Sequence, residues 1–257
     1  MPAVTAAAPG KPIWFDIMTT DAEDARRFYG ALFGWTFQVG GPETGHYAMC
    51  QLNGQQAAGL GSVPPGQSIP PAWTVYFGVR DADETVAKVT KAGGGVMMPV
   101  MDVMDFGRMA VCTDSTGAVF GLWQSKKHTG ATVADEPGAM AWSEVNSRDA
   151  NGAAAFYHEV FDLDARPVDD PSMQYIMLNQ GETPVAGVLQ MTAEWGELPP
   201  HWMTYFAVAD VDKAAETVKQ NGGKVVHGPF DSPYGRIAVI SDPQGAVLSL
   251  LQSAPQQ

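Results

Sequence analysis

An aspartate and a glutamate hold the same place in two copies of one motif, Trp14-x-Asp16 and Trp142-x-Glu144, and the second copy is followed by His201-x-Met203-x-Tyr205. Residues two apart on a strand share a face, so each acid lies beside its tryptophan, and His201, Met203 and Tyr205 line up together. If both strands serve one sheet, Glu144, His201 and Tyr205 converge. Such a group can move protons, because imidazole titrates near neutral pH and a neighbouring carboxylate can orient it. The matching places in the first copy hold Asp16, Ala72 and Tyr76, without an imidazole. Carboxylates are seldom set on a sheltered face without a partner or a task. Two readings stand side by side: each acid fixes the sheet by accepting hydrogen bonds, or each offers its charge to a ligand. His201, next to Trp202 and after Pro199-Pro200, equally fits a surface or capping role.

A duplication supplies the elements that position these residues. Trp14, Asp21, Phe28-Tyr29 and Phe33 recur 128 residues on as Trp142, Asp149, Phe156-Tyr157 and Phe161. Pro71-x-Trp73-x-x-Tyr76-Phe77 recurs as Pro200-x-Trp202-x-x-Tyr205-Phe206, now 129 apart, which marks a loop insertion. Gly107-Arg108, Asp114 and Gly117-Ala118-Val119 recur as Gly235-Arg236, Asp242 and Gly245-Ala246-Val247. Solenoid repeats run roughly 20 to 50 residues, so this unit is a whole domain. The expected division is a first domain at 11–125, a polar linker at 126–137 and a second domain at 138–253, with Met1–Lys11 a loose arm and a Gln-rich tail after Ser253.

Within each domain the pattern reads strand, helix, three strands, twice over. Ile13–Met18 alternates as a strand; Asp21 is a candidate N-cap; Ala22–Phe33 turns Ala25, Phe28, Tyr29 and Leu32 to one face; Gly34 stops it. Strands follow at 36–39, 47–52 and 57–62. Thr74–Val79 opens the next module, with a helix over 82–92, a stop at Gly93-Gly94-Gly95, and strands near 96–98, 109–113 and 119–124. The fold class is α+β, with βαβββ modules in tandem. The Met-rich run Met97–Met104 reads most simply as core filling.

The apolar fraction of 45% and charged fraction of 17% are globular, and the net charge of -13 argues against nucleic acid or an anionic membrane as partner. A neutral or cationic molecule suits that charge better. Cys50 and Cys112, the two cysteines, lie in apolar strand-like runs and read as buried hydrophobes in a reducing compartment. No signal-peptide pattern opens the chain, and the expected location is the cytoplasm.

The doubled βαβββ unit, with Asp-(x)6-Phe-Tyr in its first helix and Asp-x-x-Gly-Ala-Val before its last strand, resembles the glyoxalase, bleomycin-resistance and extradiol-dioxygenase superfamily, the vicinal oxygen chelate proteins. Gly-Arg-(x)5-Asp-(x)2-Gly-Ala-Val and Gly-Leu-Trp-Gln are similar to an actinobacterial two-domain branch that includes a mycobacterial culture-filtrate antigen and proteins labelled hydroxylase or glyoxalase. The resemblance implies that two modules curl into a cupped mixed sheet with helices on its outer face, and that strands on the concave side supply His, Glu or Gln to one divalent metal. Those positions fall on Trp14 and Trp142, Thr74 and Met203, and Gly121 and Ser249. None is a carboxylate or an imidazole, so no cofactor is expected, though a metal at other positions stays open.

The residues expected to face a ligand are Trp14, Asp16, Thr74, Tyr76, Gly121, Trp123, Trp142, Met203 and Ser249; Glu144, His201 and Tyr205 are the catalytic candidates. The first functional reading is a small-molecule-binding protein with acidic, aromatic-lined cups suited to an aromatic or cationic compound. The second is an enzyme of lyase, isomerase or oxygenase type, glyoxalase- or hydroxylase-like, working through Glu144, His201 and Tyr205 or through an atypically bound metal. The expected assembly is a monomer or a homodimer.

Overall fold

The computed structural model describes residues 9–64, 66–171 and 173–254. Most of the expected N-terminal arm, residues 1–8, and the glutamines of the expected tail lie outside the described residues.

Four modules follow one another along the chain. The first holds β1 (Pro12–Thr19), α1 (Ala22–Phe33), β2 (Thr36–Val39), β3 (Ala48–Leu52) and β4 (Gln55–Ser62). The second holds β5 (Ala72–Val79), α2 (Ala82–Lys91), β6 (Gly95–Val103), β7 (Gly107–Thr113) and β8 (Val119–Ser125). The third holds β9 (Met140–Ser147), α3 (Ala150–Phe161), β10 (Asp164–Pro167), β11 (Tyr175–Gln180) and β12 (Thr183–Gln190). The fourth holds β13 (His201–Ala207), α4 (Val211–Gln220), β14 (Lys224–Ser232), β15 (Gly235–Ser241) and β16 (Val247–Ser253).

In every module the first strand pairs parallel with the last, and the remaining ladders are antiparallel. Two mixed eight-stranded sheets result, ordered β2-β3-β4-β1-β5-β8-β7-β6 and β10-β11-β12-β9-β13-β16-β15-β14. The α+β tandem architecture read from the repeat is the one observed.

Among the described residues the four α-helices start in the same way. Asp21, Asp81, Asp149 and Asp210 each accept a hydrogen bond from the backbone N–H three residues on, which satisfies a donor that the first helical turn leaves open. On α1 the buried face is Ala25, Phe28, Tyr29 and Phe33. Leu32, expected inward, is only half-buried, and Phe33 takes its place.

The chain divides into two compact units, each of which joins a module from either half of the sequence. One contains 74–130 and 143–202 with the segment through Trp14; the other contains 15–73, 131–142 and 203 onward. In the first, α2 packs with α3. Its centre is a relay in which Trp202 Nε1 donates to Tyr157 Oη at 2.8 Å and Tyr157 Oη donates to Asp114 Oδ2 at 3.0 Å. Phe77 stacks on Phe161 beside it, with centroids 4.5 Å apart. In the second unit, α1 packs with α4. The same relay runs from Trp73 Nε1 to Tyr29 Oη at 3.1 Å and from Tyr29 to Asp242 Oδ2 at 2.9 Å, near Phe33 and Phe206.

The Asp-x-x-Gly-Ala-Val motif is thereby explained. Asp114 Oδ1 accepts from the backbone N–H groups of Thr116 and Ala118, and Asp242 Oδ1 from those of Gln244 and Ala246. One carboxylate oxygen folds its own turn while the other fastens a helix from the opposite half of the sequence. Desolvation raises the carboxyl of Asp242 above the usual carboxylate range, opposed by the backbone N–H groups and the tyrosine. Trp73 and Trp202 pack on these helices.

The methionine run departs from the expected core filling. It lies along and just after β6, an edge strand, where Met97 is 63% and Met104 54% exposed. Two register shifts against β7 turn this edge out of the regular ladder.

Candidate functional site

The first strand of each domain carries its acid into a shaped seat. In the first module Asp16 faces Gly59 across the parallel β1–β4 ladder. Tyr47, just before β3, lays its hydroxyl over Gly59 and donates to Asp16 Oδ2 at 3.1 Å. In the third module Glu144 faces Gly187, and Tyr175 lays its hydroxyl over Gly187 and donates to Glu144 Oε2 at 2.8 Å. A Cβ on either glycine would collide with the tyrosine oxygen, so the glycine is what lets the hydroxyl reach the acid. Asp16 is 6% and Glu144 5% exposed. Phe15, Ile17 and Val145, on the other face, are fully buried.

Tyr47 and Tyr175 are absent from the expected residues, as are Gly59 and Gly187. The signal was present: 175 − 47 and 187 − 59 both give the 128-residue offset of the acids.

The third module adds a polar pair. Asn146, two residues past Glu144 on β9, donates from Nδ2 to His201 Nε2 at 3.1 Å, and His201 Nδ1 lies 2.8 Å from the Pro199 carbonyl oxygen. A carbonyl only accepts, so Nδ1 carries the ring proton and Nε2 accepts from the amide. Burial pushes the imidazole pKa down, against the Pro199 carbonyl, which pushes it up. Both ring nitrogens are thus engaged with groups other than Glu144. The 3-10 turn Ala193–Trp195 precedes this strand, and the Trp195 ring centroid is 6.2 Å from that of His201. Arg148 fastens the turn by donating to the carbonyls of Thr192, Gly196 and Leu198.

The remaining expected residues divide by unit. Tyr76 pairs in register with Gly121, and its ring fills the space in which a Cβ on Gly121 would stand. Thr74 lies two residues earlier on β5, half-buried. Trp123 donates from Nε1 to the His128 carbonyl at 2.8 Å. The His128 ring sits edge-on to Trp14 at 4.3 Å and to Trp123 at 5.4 Å, and burial lowers its pKa to about 4. In the other unit, Tyr205 pairs in register with Ser249, whose hydroxyl is buried. Met203 is buried on β13, and Trp142 is half-buried on β9.

The positions at which the resemblance implies metal ligands therefore hold indole, hydroxyl, thioether and glycine. Among the described residues, no three His, Cys, Asp or Glu side chains come together to hold a metal ion. That donor set does not fit a divalent metal at those positions.

Comparison with known proteins places this scaffold. A family model described as the Glyoxalase/Bleomycin resistance protein/Dioxygenase superfamily matches residues 11–122 and again 139–250. "Putative glyoxylase CFP32" of Mycobacterium bovis is 42% identical over the whole of both chains. "Anthracycline biosynthesis protein DauV" of a Streptomyces species is 35% identical, with 97% of this chain and 95% of that one covered. Among solved structures, the Mn(II)-bound glyoxalase from Novosphingobium aromaticivorans superposes with a TM-score of 0.65 at 16% identity, covering 95% of this chain and 82% of that one. The 2,3-dioxygenase LapB from a Pseudomonas species gives 0.67 at 12% identity, covering 97% and 94%. With both halves matched by one family model and full-length relatives above a third identical, the chain belongs to the glyoxalase, bleomycin-resistance protein and dioxygenase superfamily.

Proposed function

We propose that this protein binds a small aromatic cation at the carboxylates of Asp16 and Glu144, without a metal at the family's usual ligand positions. The observation that carries this reading is the seating of each acid: nearly buried, held by a tyrosine hydroxyl over a glycine, on the same strand face as a tryptophan. A sheltered carboxylate attracts a cation more strongly than an exposed one does, and aromatic faces favour the same ligands. The net charge of -13 draws in a cation and repels an anion. Two streptomycete relatives are named anthracycline biosynthesis proteins, and anthracyclines are polycyclic aromatic compounds, which supports the aromatic part of this reading.

The alternative is proton-transfer catalysis by Glu144, His201 and Tyr205 in a lyase, isomerase or oxygenase. The engagement of both His201 nitrogens with Asn146 and Pro199 weighs toward binding. Calorimetric titration with daunorubicin and with 1-naphthylmethylamine, on protein dialysed against a chelator, tests the reading. Binding that persists in chelator and weakens in Asp16→Asn and Glu144→Gln supports it. Binding that requires an added divalent metal contradicts it.

A further inference from the structure

The two domains differ at two positions that touch one another in the second. Asn146 and His201 correspond through the repeat to Met18 and Ala72, so an amide–imidazole pair in one domain stands where the other has a thioether and a methyl group. Asn146 is 1% exposed. Its Nδ2 is used by His201, and the direction of that bond is fixed, because the Pro199 carbonyl obliges Nδ1 to donate and leaves Nε2 to accept. The amide oxygen is therefore turned away from the ring. Among the described residues Asn146 Oδ1 has no hydrogen-bond partner. Buried acceptors are rarely left empty, because the group has given up water for nothing in return.

Strand alternation sets Asn146 on the same face as Glu144. The tied turn carrying Trp195 adds an aromatic ring next to His201. Arg148, which ties it, is replaced by Thr20 in the first domain.

We propose that Asn146, oriented by His201, is a specificity-determining residue: its Oδ1 accepts an N–H from the ligand's ammonium group, so the second domain selects primary or secondary aromatic amines, whereas the first, with Met18 and Ala72, does not distinguish them from quaternary ones. This rests on the binding reading above and adds to it the number of N–H groups that the ligand must present.

The test uses two probes of equal charge and similar ring, 1-naphthylmethylamine and its N,N,N-trimethyl quaternary derivative. The full chain carrying Asp16→Asn, which silences the first domain, is titrated with each. The expected result is a preference of about tenfold or more for the primary amine, the size of one hydrogen bond to a charged group. Adding Asn146→Met and His201→Ala, the residues of the first domain, should erase that preference by weakening the primary amine about tenfold or more relative to the quaternary probe, with an unchanged denaturation midpoint reporting that the variant is folded. The reciprocal pair Met18→Asn and Ala72→His, in a Glu144→Gln chain, should create the preference in the first domain. Equal affinity for the two probes before substitution, or an undiminished preference after it, overturns the proposal while leaving the binding reading intact. Failure of the unsubstituted chain to bind either probe overturns both.

Discussion

Tyr175 donates its hydroxyl proton to Glu144 at 2.8 Å across the bare backbone of Gly187, and Tyr47 reaches Asp16 over Gly59 in the same manner. Each contact needs three residues from three strands or their ends, and the glycine is as necessary as the two polar groups. Gly187→Ala should therefore act like loss of the tyrosine hydroxyl. We expect Gly187→Ala and Tyr175→Phe each to destabilise the protein by about 1–3 kcal/mol, with the double substitution costing little more than either alone. Denaturant unfolding of the four proteins in a double-mutant cycle measures this; additive costs would show that glycine and hydroxyl act independently.

The Trp–Tyr–Asp relays make a second prediction. Tyr29→Phe removes the donor to Asp242 Oδ2 and the acceptor of the Trp73 indole in one step, so one carboxylate oxygen and one indole N–H, both buried, lose this partner. A loss of roughly 2–6 kcal/mol follows, since each stranded atom costs about 1–3 kcal/mol. Tyr157→Phe should do the same through Asp114 and Trp202. A change in either below about 0.5 kcal/mol, the range of an ordinary surface substitution, would mean that the relay does not hold its helix.

His128 predicts a pH dependence. Its folded-state pKa is about 4 because burial between Trp14 and Trp123 disfavours the charged ring, against the ordinary 6.5 of a free imidazole. Above the unfolded value both states are neutral and this residue contributes no slope. As pH falls from 6.5 toward 4 the unfolded chain takes up the proton first, so stability drops, by at most about 1.4 kcal/mol per pH unit. Below 4 the folded state is protonated too and the loss levels off. Chemical denaturation of His128→Phe between pH 7 and 4 should show a curve shallower by this one-proton component. An unchanged slope would contradict the assignment.

The fold was legible because its signals are local. Asp21 marks the start of the first helix, apolar alternation marks the strands, and the repeat at 128–129 residues supplies a second copy of each signal. The acids of the candidate site were legible for the same reason. Their partners were harder to see, because Tyr47 is 31 residues from Asp16, and only strand register, which no short pattern encodes, brings them together. The Asn146–His201 bond spans 55 residues and has no copy in the first domain, so the repeat could not reveal it. The exposed methionines were misread because hydrophobicity alone does not distinguish an edge strand from a central one.

The central claim, that the seated carboxylates bind an aromatic cation without metal, is tested most directly by isothermal titration of 1-naphthylmethylamine into chelator-dialysed protein. The account predicts measurable binding by the unsubstituted chain and its loss in the Asp16→Asn/Glu144→Gln double variant. Equal binding by both proteins, or binding that appears only once a divalent metal is returned, would contradict it.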